Sequence, residues 1–167
     1  MTHDIRLREV RESDLPIFFE QQLDEEANYM AAYGADDPTD RAAFDAHWKK
    51  VLSDNSNINR TILFDGQVAG NIAKFIQFDE PEVSYWIGKE YWGKGIATRA
   101  LALLLEQVTE RPLFARVVKD NIASLRVLEK CGFTIVGEDS GFANARVKET
   151  EEYILRLDAD RAGSQVQ

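Results

Sequence analysis

A turn with two closely spaced glycines, Trp92-Gly93-Lys94-Gly95, constrains the fold more than any other stretch of this 167-residue chain. It follows a strand predicted over 82–87 and precedes a helix predicted by one apolar stripe: Ala97, Ala100, Leu101, Leu104, Leu105 and Val108. Glycines let the backbone come close to a ligand, and the first amides of a helix have no partner within the helix. The order of strand, turn and helix therefore predicts a phosphate or pyrophosphate site. The alternative is a tight turn needed for packing alone, and spacing does not separate the two.

Two better-known phosphate-binding motifs do not fit this turn. A Walker loop has Ser or Thr directly after its Gly-Lys pair, and Gly95 stands in that place. A dinucleotide-binding fingerprint has a third glycine three residues after the second, where this chain has Thr98. Both nucleotide-binding interpretations are disfavoured.

The hydrophobic periodicity along the rest of the chain predicts one sheet with helices on both faces. Further strands are expected over 5–10, 61–64, 67–78, 113–118, 134–142 and 151–157, and further helices over 15–23, 40–52 and 121–130. The residues 24–39 indicate a loop or broken helix. Asp65-Gly66 between two apolar runs predicts a hairpin with a type I′ turn. The order β, α, α, β, β, β, α, β, α, β, β is typical of an α+β fold.

Length and composition limit the possible classes of protein. The chain fits a single domain, expected over 1–158 and followed by a flexible tail over 159–167. With 20 Lys and Arg against 29 Asp and Glu, the net charge of −9 disfavours nucleic-acid binding. One cysteine and two distant histidines disfavour a metal site. Without a signal sequence or an apolar run of about 20 residues, no membrane association is expected, and a cytoplasmic protein is predicted. The oligomeric state stays open.

The glycine turn and a second motif together resemble the GNAT superfamily of N-acetyltransferases, over nearly the whole domain. The family's pyrophosphate signature is Gln or Arg, two residues, Gly, one residue, then Gly or Ala. The segment 92–97 matches it except at Trp92. The second motif is Asn121-Ile122-Ala123-Ser124 followed by Glu129-Lys130-Cys131-Gly132-Phe133, which resembles the branch of ribosomal-protein-alanine N-acetyltransferases.

This resemblance implies a mixed, mostly antiparallel sheet with a V-shaped opening between two central parallel strands, those ending at Ile87 and Val118. Acetyl-CoA would bind in the opening as co-substrate, without a metal. The turn residues Gly93, Lys94, Gly95, Ile96, Ala97 and Thr98 would bind its pyrophosphate, and Asn121 its pantetheine arm. The amide of Trp86 or of Ile87 would bind the oxyanion that develops during transfer. Lys130 would contact the nucleotide end, unless it is a solvated lysine at a helix end.

The resemblance also suggests which residues move protons. Relatives often carry a glutamate base on the strand before the turn, which corresponds to Glu82, although an exposed carboxylate at a strand start is an equal alternative. Leu128 stands where many members have a tyrosine acid. The branch's proposed donor is a serine that matches Ser124, whose alternative is a local backbone hydrogen bond in a first helical turn. Tyr85 is a reserve donor, although a strand aromatic is more often part of the core.

The acceptor side is suggested by charge. Nine acids and no Lys or Arg lie between Glu12 and Asp40, where the family's first helices line the acceptor site. This predicts an acidic mouth for a cationic amine, either a small molecule or a protein N-terminus, unless the acids form a solvated face. Tyr29, Met30 and Tyr33 are candidates for the acceptor wall, or else anchor a loop on the core.

The sequence therefore favours an acetyl-CoA-dependent N-acetyltransferase that transfers the acetyl group to a primary amine directly, in a ternary complex. Two alternatives stay open. One is a non-catalytic acyl-CoA-binding regulatory module, because the usual tyrosine acid is absent. The other is a structural domain whose glycines serve packing alone.

Overall fold

A computed structural model of the chain describes residues 3–159. The predicted tail, apart from residue 159, lies outside them. The strands are β1 (Ile5–Glu9), β2 (Ile58–Phe64), β3 (Gln67–Gln77), β4 (Glu80–Ile87), β5 (Leu113–Val118), β6 (Thr134–Ala143) and β7 (Lys148–Leu157). The helices are α1 (Leu15–Gln22), α2 (Glu25–Ala31), α3 (Arg41–Ser53), α4 (Ile96–Gln107) and α5 (Ile122–Lys130).

The seven strands form one sheet in the order β1-β2-β3-β4-β5-β7-β6. Every neighbouring pair is antiparallel except β4 and β5, which run parallel at the centre. The predicted fold class, a mixed and mostly antiparallel α+β sheet, is confirmed.

Helices cover both faces of this sheet. On one face, which we call the α4 face, Ile72 and Ile87 pack in a buried core with Leu101 and Leu104 of α4 and Leu128 of α5. Side chains of successive strand residues alternate between faces. Trp86 therefore points to the opposite face, which we call the α1 face, where its indole N–H donates to the carbonyl of Gln21 at the end of α1 (3.3 Å).

Two local structures show how the sequence specifies these elements. Asp65 and Gly66 both have positive φ, 49° and 83°, as the predicted hairpin turn requires. The residues predicted as a loop or broken helix contain α2, whose first turn is capped by Asp24: its carboxylate accepts a hydrogen bond from the Ala27 amide (2.8 Å). Ala27, a residue of this helix, is buried, and its packing stabilises the helix in a way that the local sequence pattern does not show.

The two central parallel strands separate soon after they meet. Glu82 of β4 pairs with Phe114 of β5, and this is the single register pair between the two strands in the described chain. Beyond it the strands diverge, so that the facing backbone edges from Glu82 to Ile87 and from Phe114 to Val118 enclose a V-shaped gap. This gap positions the candidate site.

Candidate active site

A cavity of about 960 Å³ occupies the gap between β4 and β5. Its walls come from both strands, the glycine turn, the first turns of α4 and α5, the α2 helix and the strands β6 and β7. Of the predicted site residues, all six of the turn line it, together with Glu82, Trp86, Ile87, Asn121, Ser124, Met30 and Tyr33. The structure thus brings together residues that are up to about 90 positions apart in the sequence.

The glycine turn presents open backbone to this cavity. Gly93 and Gly95 have φ of 78° and 76°, in the left-handed region that favours glycine. A Cβ placed on either would meet no other heavy atom within 4 Å, so protein packing does not require glycine there. Gly95 is the N-cap of α4 and supplies no side-chain cap, which leaves the first amides of a 12-residue helix directed at the cavity. Backbone of this kind suits an anionic ligand.

Trp92, which departs from the signature, has a definite contact. Its indole N–H donates to the carbonyl oxygen of Ile87 at 2.9 Å. This bond ties the start of the turn to the end of β4. Trp92 therefore anchors the turn to the strand across the short segment that separates them.

The amide direction at the end of β4 distinguishes the two oxyanion candidates. The Gly88 amide donates to the Ala69 carbonyl, on the β3 side of the strand (2.8 Å). Amides along a strand alternate between its two edges. The amide of Trp86 accordingly faces β3, while that of Ile87 faces the gap toward β5.

A hydroxyl pair lies on the α4 face of the gap. The Tyr85 phenol and the Ser124 hydroxyl are 2.8 Å apart. Burial raises the pKa of the Tyr85 phenol, against a smaller lowering by its bond to Ser124. Leu128, one helical turn after Ser124, also lines the cavity and contributes an apolar wall.

Asn121 holds this end of α5 in place. Its side-chain oxygen accepts a hydrogen bond from the Ser124 amide (3.3 Å), and its side-chain nitrogen donates to the Met30 carbonyl (3.4 Å). Asn121 thus caps α5 and links it to α2. The helix cap also sets the position of the Ser124 side chain.

A group of carboxylates surrounds one arginine on the opposite, α1 face of the gap. Glu82, at 4% exposure, has its Oε2 3.6 Å from Arg116 Nε. Arg116 Nη1 donates to Asp139 (2.9 Å) and Glu152 (2.8 Å), and its guanidinium lies 4.5 Å from the Phe78 ring centre. Burial raises the pKa of the Glu82 carboxyl, an effect that Arg116 opposes and Glu152 reinforces.

This carboxylate group, Glu82, Asp139 and Glu152, was only partly foreseen. The sequence pointed to Glu82 but not to Arg116, Asp139 or Glu152, which lie in charged strands without a local motif. The strand register unites them, because Asp139 of β6 is directly opposite Glu152 of β7 and both face the same side of the sheet as Arg116. Register is a property of strand pairing that no short motif records.

The acidic stretch of 12–40 differs from the predicted acidic mouth. Of its nine acids, Glu26 lines the cavity. Asp24 and Asp40 cap helices, and Asp37 bonds within its own turn. Asp14, 1% exposed, bonds to Arg8 and Thr61. These four aspartates therefore serve helix caps, a turn and a buried ion pair, and the carboxylates of the cavity come mainly from β4, β6 and β7.

Two predicted residues lie away from the cavity wall. The Tyr29 ring stacks with Arg146 of the β6–β7 turn (4.3 Å), and its backbone carbonyl accepts from the same guanidinium. Lys130 is exposed at the end of α5. Tyr33, in contrast, reaches the cavity, and its hydroxyl donates to the carbonyls of Gly141 and Thr150. The α2 region is thereby joined to β6 and β7 over the acidic end of the cavity.

A family model described as an acetyltransferase (GNAT) domain matches residues 4–134, more than three quarters of the chain. The chain belongs to the GNAT acetyltransferase family. The predicted family and the predicted enzyme class, an N-acyltransferase, are confirmed. Within residues 3–159 of this GNAT protein, no helix is long and apolar enough to cross a membrane, and no cluster of three His, Cys, Asp or Glu side chains could hold a metal ion.

The proteins that are similar to this GNAT protein carry several different names. Spermidine N(1)-acetyltransferase of Escherichia coli K12 is 28% identical over 145 residues, covering 81% of this chain and 76% of that protein. Mycobacterium smegmatis RimJ, solved with CoA-disulfide, superposes with a TM-score of 0.79 at 20% identity, covering 98% of this chain and 84% of that one. RimL, a ribosomal L7/L12 alpha-N-protein acetyltransferase solved with coenzyme A, gives 0.74 at 20% identity, covering 93% and 96%. The two structures show the same fold.

Proposed function

We propose that this GNAT protein transfers the acetyl group of acetyl-CoA directly to a primary amine that carries positive charge. One observation carries the proposal: the gap between β4 and β5 is a single cavity with a backbone cradle for an anion at one end and the carboxylate group at the other. A hydroxyl pair lies between them. This arrangement suits a ternary complex in which donor and acceptor meet within the gap.

The turn residues fit the pyrophosphate of the coenzyme. The two left-handed glycines leave space where side chains would stand, and the uncapped amides of α4 are donors for phosphate oxygens. Lys94, which also lines the cavity, adds a positive charge at this end. Bound there, acetyl-CoA would supply the acyl group and a thiol leaving group.

The surrounding residues supply the groups that acyl transfer needs. The Ile87 amide, directed into the gap, would donate to the acetyl carbonyl oxygen as negative charge develops on it. Glu82, on the α1 face, would accept the proton that the amine loses, directly or through water. Ser124, on the α4 face, would deliver a proton to the sulfur. Asn121 would position Ser124 through the helix cap and remain available to the pantetheine arm.

The acceptor end of the cavity favours a cation. The carboxylate group places three acids there, against the one guanidinium of Arg116, whereas the fourth acid of the cavity wall, Glu26, pairs with Lys89 (2.8 Å). A cleft lined by negative charge attracts a positively charged ligand. A protonated amine group at a distance from the reacting nitrogen would therefore be bound here and would reduce the excess negative charge. The spermidine acetylated by the Escherichia coli relative is a compound of this kind.

Contacts above the acidic end favour a slender acceptor. Asn144 of the β6–β7 turn donates to Asp36 (2.8 Å), the Ala145 amide donates to the Ala32 carbonyl (3.2 Å), and Tyr33 bonds to two strand carbonyls. These bonds connect the α2–α3 segment with β6 and β7 over the cavity. A small linear amine passes beneath such a cover more readily than a folded protein, so we place the small polyamine class before a protein N-terminus.

The first experiment measures thermal unfolding with acetyl-CoA and with CoA, because a ligand of the native state raises stability by mass action. Saturable increases in Tm are expected for both. Release of CoA thiol is then followed with putrescine, spermidine and spermine, and with an amino-terminal peptide as the comparison. Release with the polyamines supports the proposal, and release with the peptide alone would overturn the choice of acceptor. Binding without thiol release from any amine would instead support a non-catalytic acyl-CoA-binding module.

A further inference from the structure

The hydrogen bond between Tyr85 and Ser124 joins two elements across the wall of the gap. Tyr85 projects from β4 and Ser124 from the first turn of α5, and both line the cavity. Their oxygens are 2.8 Å apart, close enough for either hydroxyl to donate. Tyr85 lies two residues before Ile87, whose amide faces the same gap. The phenol therefore lies next to the site proposed for the reacting carbonyl.

Two other hydroxyls of the cavity wall, those of Tyr33 and Ser84, are less suitable proton donors at this place. Tyr33 donates to two backbone carbonyls. Ser84 belongs to the opposite face, because it neighbours Tyr85 along the strand. On α5 itself, Leu128 occupies the position one turn beyond Ser124 and has no proton to give. Among the described residues, Tyr85 and Ser124 form the hydroxyl pair at the α4 side of the gap.

We propose that Tyr85 is the source of the proton taken by the departing thiolate, and that the Ser124 hydroxyl passes this proton on. The inference rests on the proposed acetyl transfer and assigns a second catalytic group to it. It makes a phenol from the strand, acting through a hydroxyl of α5, the source of the proton.

The proposed transfer conserves atoms and charge. The amine nitrogen forms a C–N bond to the acetyl carbon and loses a proton to the Glu82 carboxylate. The C–S bond breaks, and its electron pair leaves on sulfur. Sulfur takes the Ser124 hydroxyl proton while Ser124 Oγ takes the phenol proton of Tyr85. The phenolate and the protonated Glu82 return to their starting states by exchanging one proton with solvent.

The phenol contributes an acidity that the serine hydroxyl lacks. A tyrosine has a pKa of about 10 and an aliphatic thiol such as cysteine about 8.5, whereas an aliphatic alcohol is a far weaker acid than either. A serine that gives up its proton without replacement would leave an alkoxide in a partly buried site. Burial raises the pKa of the Tyr85 phenol, so it holds its proton at neutral pH until the thiolate forms.

The test uses Tyr85→Phe, Ser124→Ala and the double variant in the full chain. We expect each single change to lower kcat by about 100-fold, within the range for a lost general acid. We expect KM for acetyl-CoA to stay within about twofold. The double variant should be less than about threefold slower than either single variant, because the two hydroxyls act as one unit. Tyr153→Phe, a tyrosine of β7 outside the cavity wall, is the matched control and should keep full activity.

A second measurement separates a chemical role from a structural one without turnover. Thiolate absorbance of protein-bound CoA is titrated with pH, with the desulfo-CoA complex as the blank. Hydrogen bonds from the pair stabilise the thiolate, so the bound thiol should titrate about one pH unit higher in Tyr85→Phe than in the wild type. An unchanged titration, or a kcat within threefold of wild type, would overturn the assignment. A wild-type protein that binds CoA and acetylates no amine would overturn both proposals, whereas an active wild type with an equally active Tyr85→Phe would overturn this one alone.

Discussion

Replacing Gly95 with Ala tests whether the glycine turn is built for a ligand or for packing. Gly95 has φ of 76°, and an alanine held there costs about 1–2 kcal/mol, partly offset by the reduced freedom of the unfolded chain. Since no heavy atom lies within 4 Å of the added Cβ, no clash adds to this cost. We therefore expect a loss of about 1 kcal/mol of unfolding free energy, a fall in Tm of about 2–4 °C for a chain of this size.

The coenzyme should respond much more strongly, because the added methyl group lies where phosphate must approach the backbone. We expect the dissociation constant of CoA to rise at least tenfold, equivalent to about 1.4 kcal/mol. At 100 times the wild-type dissociation constant, ligand stabilisation would then fall from about 2.7 to about 1.4 kcal/mol, which thermal unfolding with and without CoA resolves.

Gly66 offers a matched control for this experiment. It sits in the β2–β3 hairpin turn with φ of 83°, and a Cβ there also meets nothing within 4 Å. Gly66→Ala should therefore lose similar stability and keep full affinity for CoA. Equal CoA affinities for the two variants would refute the reasoning, because backbone strain would then account for everything that Gly95→Ala does.

Three other changes test the cavity and the fold. Glu82→Gln should lower kcat about 100-fold and leave CoA affinity unchanged. It should also remove the acid limb of the pH profile, because that limb reports the Glu82 carboxyl, whose pKa is raised by burial. A kcat within threefold of wild type would exclude Glu82 as the base. Asp139→Asn with Glu152→Gln should raise KM for spermidine about tenfold and weaken its salt dependence, and an unchanged KM would argue against the cationic acceptor. Burial alone would raise the pKa of Asp14, but hydrogen bonds from Arg8 and Thr61 outweigh it and hold the pKa at about 2, against 3.8 ordinarily. Asp14→Asn should thus lose about 2.5 kcal/mol of unfolding free energy at pH 7, and urea unfolding should show this difference shrinking as the pH falls from 4 toward 2.

The elements that the sequence predicted well are those whose signal is local. β5 was predicted over 113–118 and extends from Leu113 to Val118. The apolar stripe of α4 and the Asp65-Gly66 turn were equally direct, because a helix face or a left-handed turn leaves its pattern within a few residues. α2 was not resolved from a loop, since seven residues are too few for a periodic stripe. Its capping aspartate and its two acids in the first turn were nevertheless present as signals.

The same difference between local and long-range signals applies to the residues of the site. The glycine turn and the start of α5 have local motifs, so their residues could be named from sequence. The carboxylate group depends on which strands are neighbours and on their register, so a motif could suggest Glu82 but not its partners. Conversely, the acidic run before α3 supplies one carboxylate to the cavity wall, Glu26, while Asp24, Asp37 and Asp40 bond within local caps and turns. Charge density along a sequence does not show whether a carboxylate is free to meet a ligand.

The division of the cavity between two faces of one sheet would also keep the proposed base, Glu82, apart from the proposed acid pair, Tyr85 and Ser124. If Glu82 were in hydrogen-bond contact with Tyr85 or Ser124, a proton could pass between them and both groups would lose their function. Strand alternation prevents this, because residues 82 and 85 differ by an odd number of positions and point to opposite faces. In a fully paired sheet the same alternation would also separate the acceptor from the thioester, since backbone hydrogen bonds would close the path between faces. Beyond the Glu82–Phe114 pair, the described parts of β4 and β5 have no further register pair, and this removes that barrier. The unpaired edges, which leave the Ile87 amide free, therefore form the passage in which the proposed base, oxyanion donor and acid would act on one acyl group.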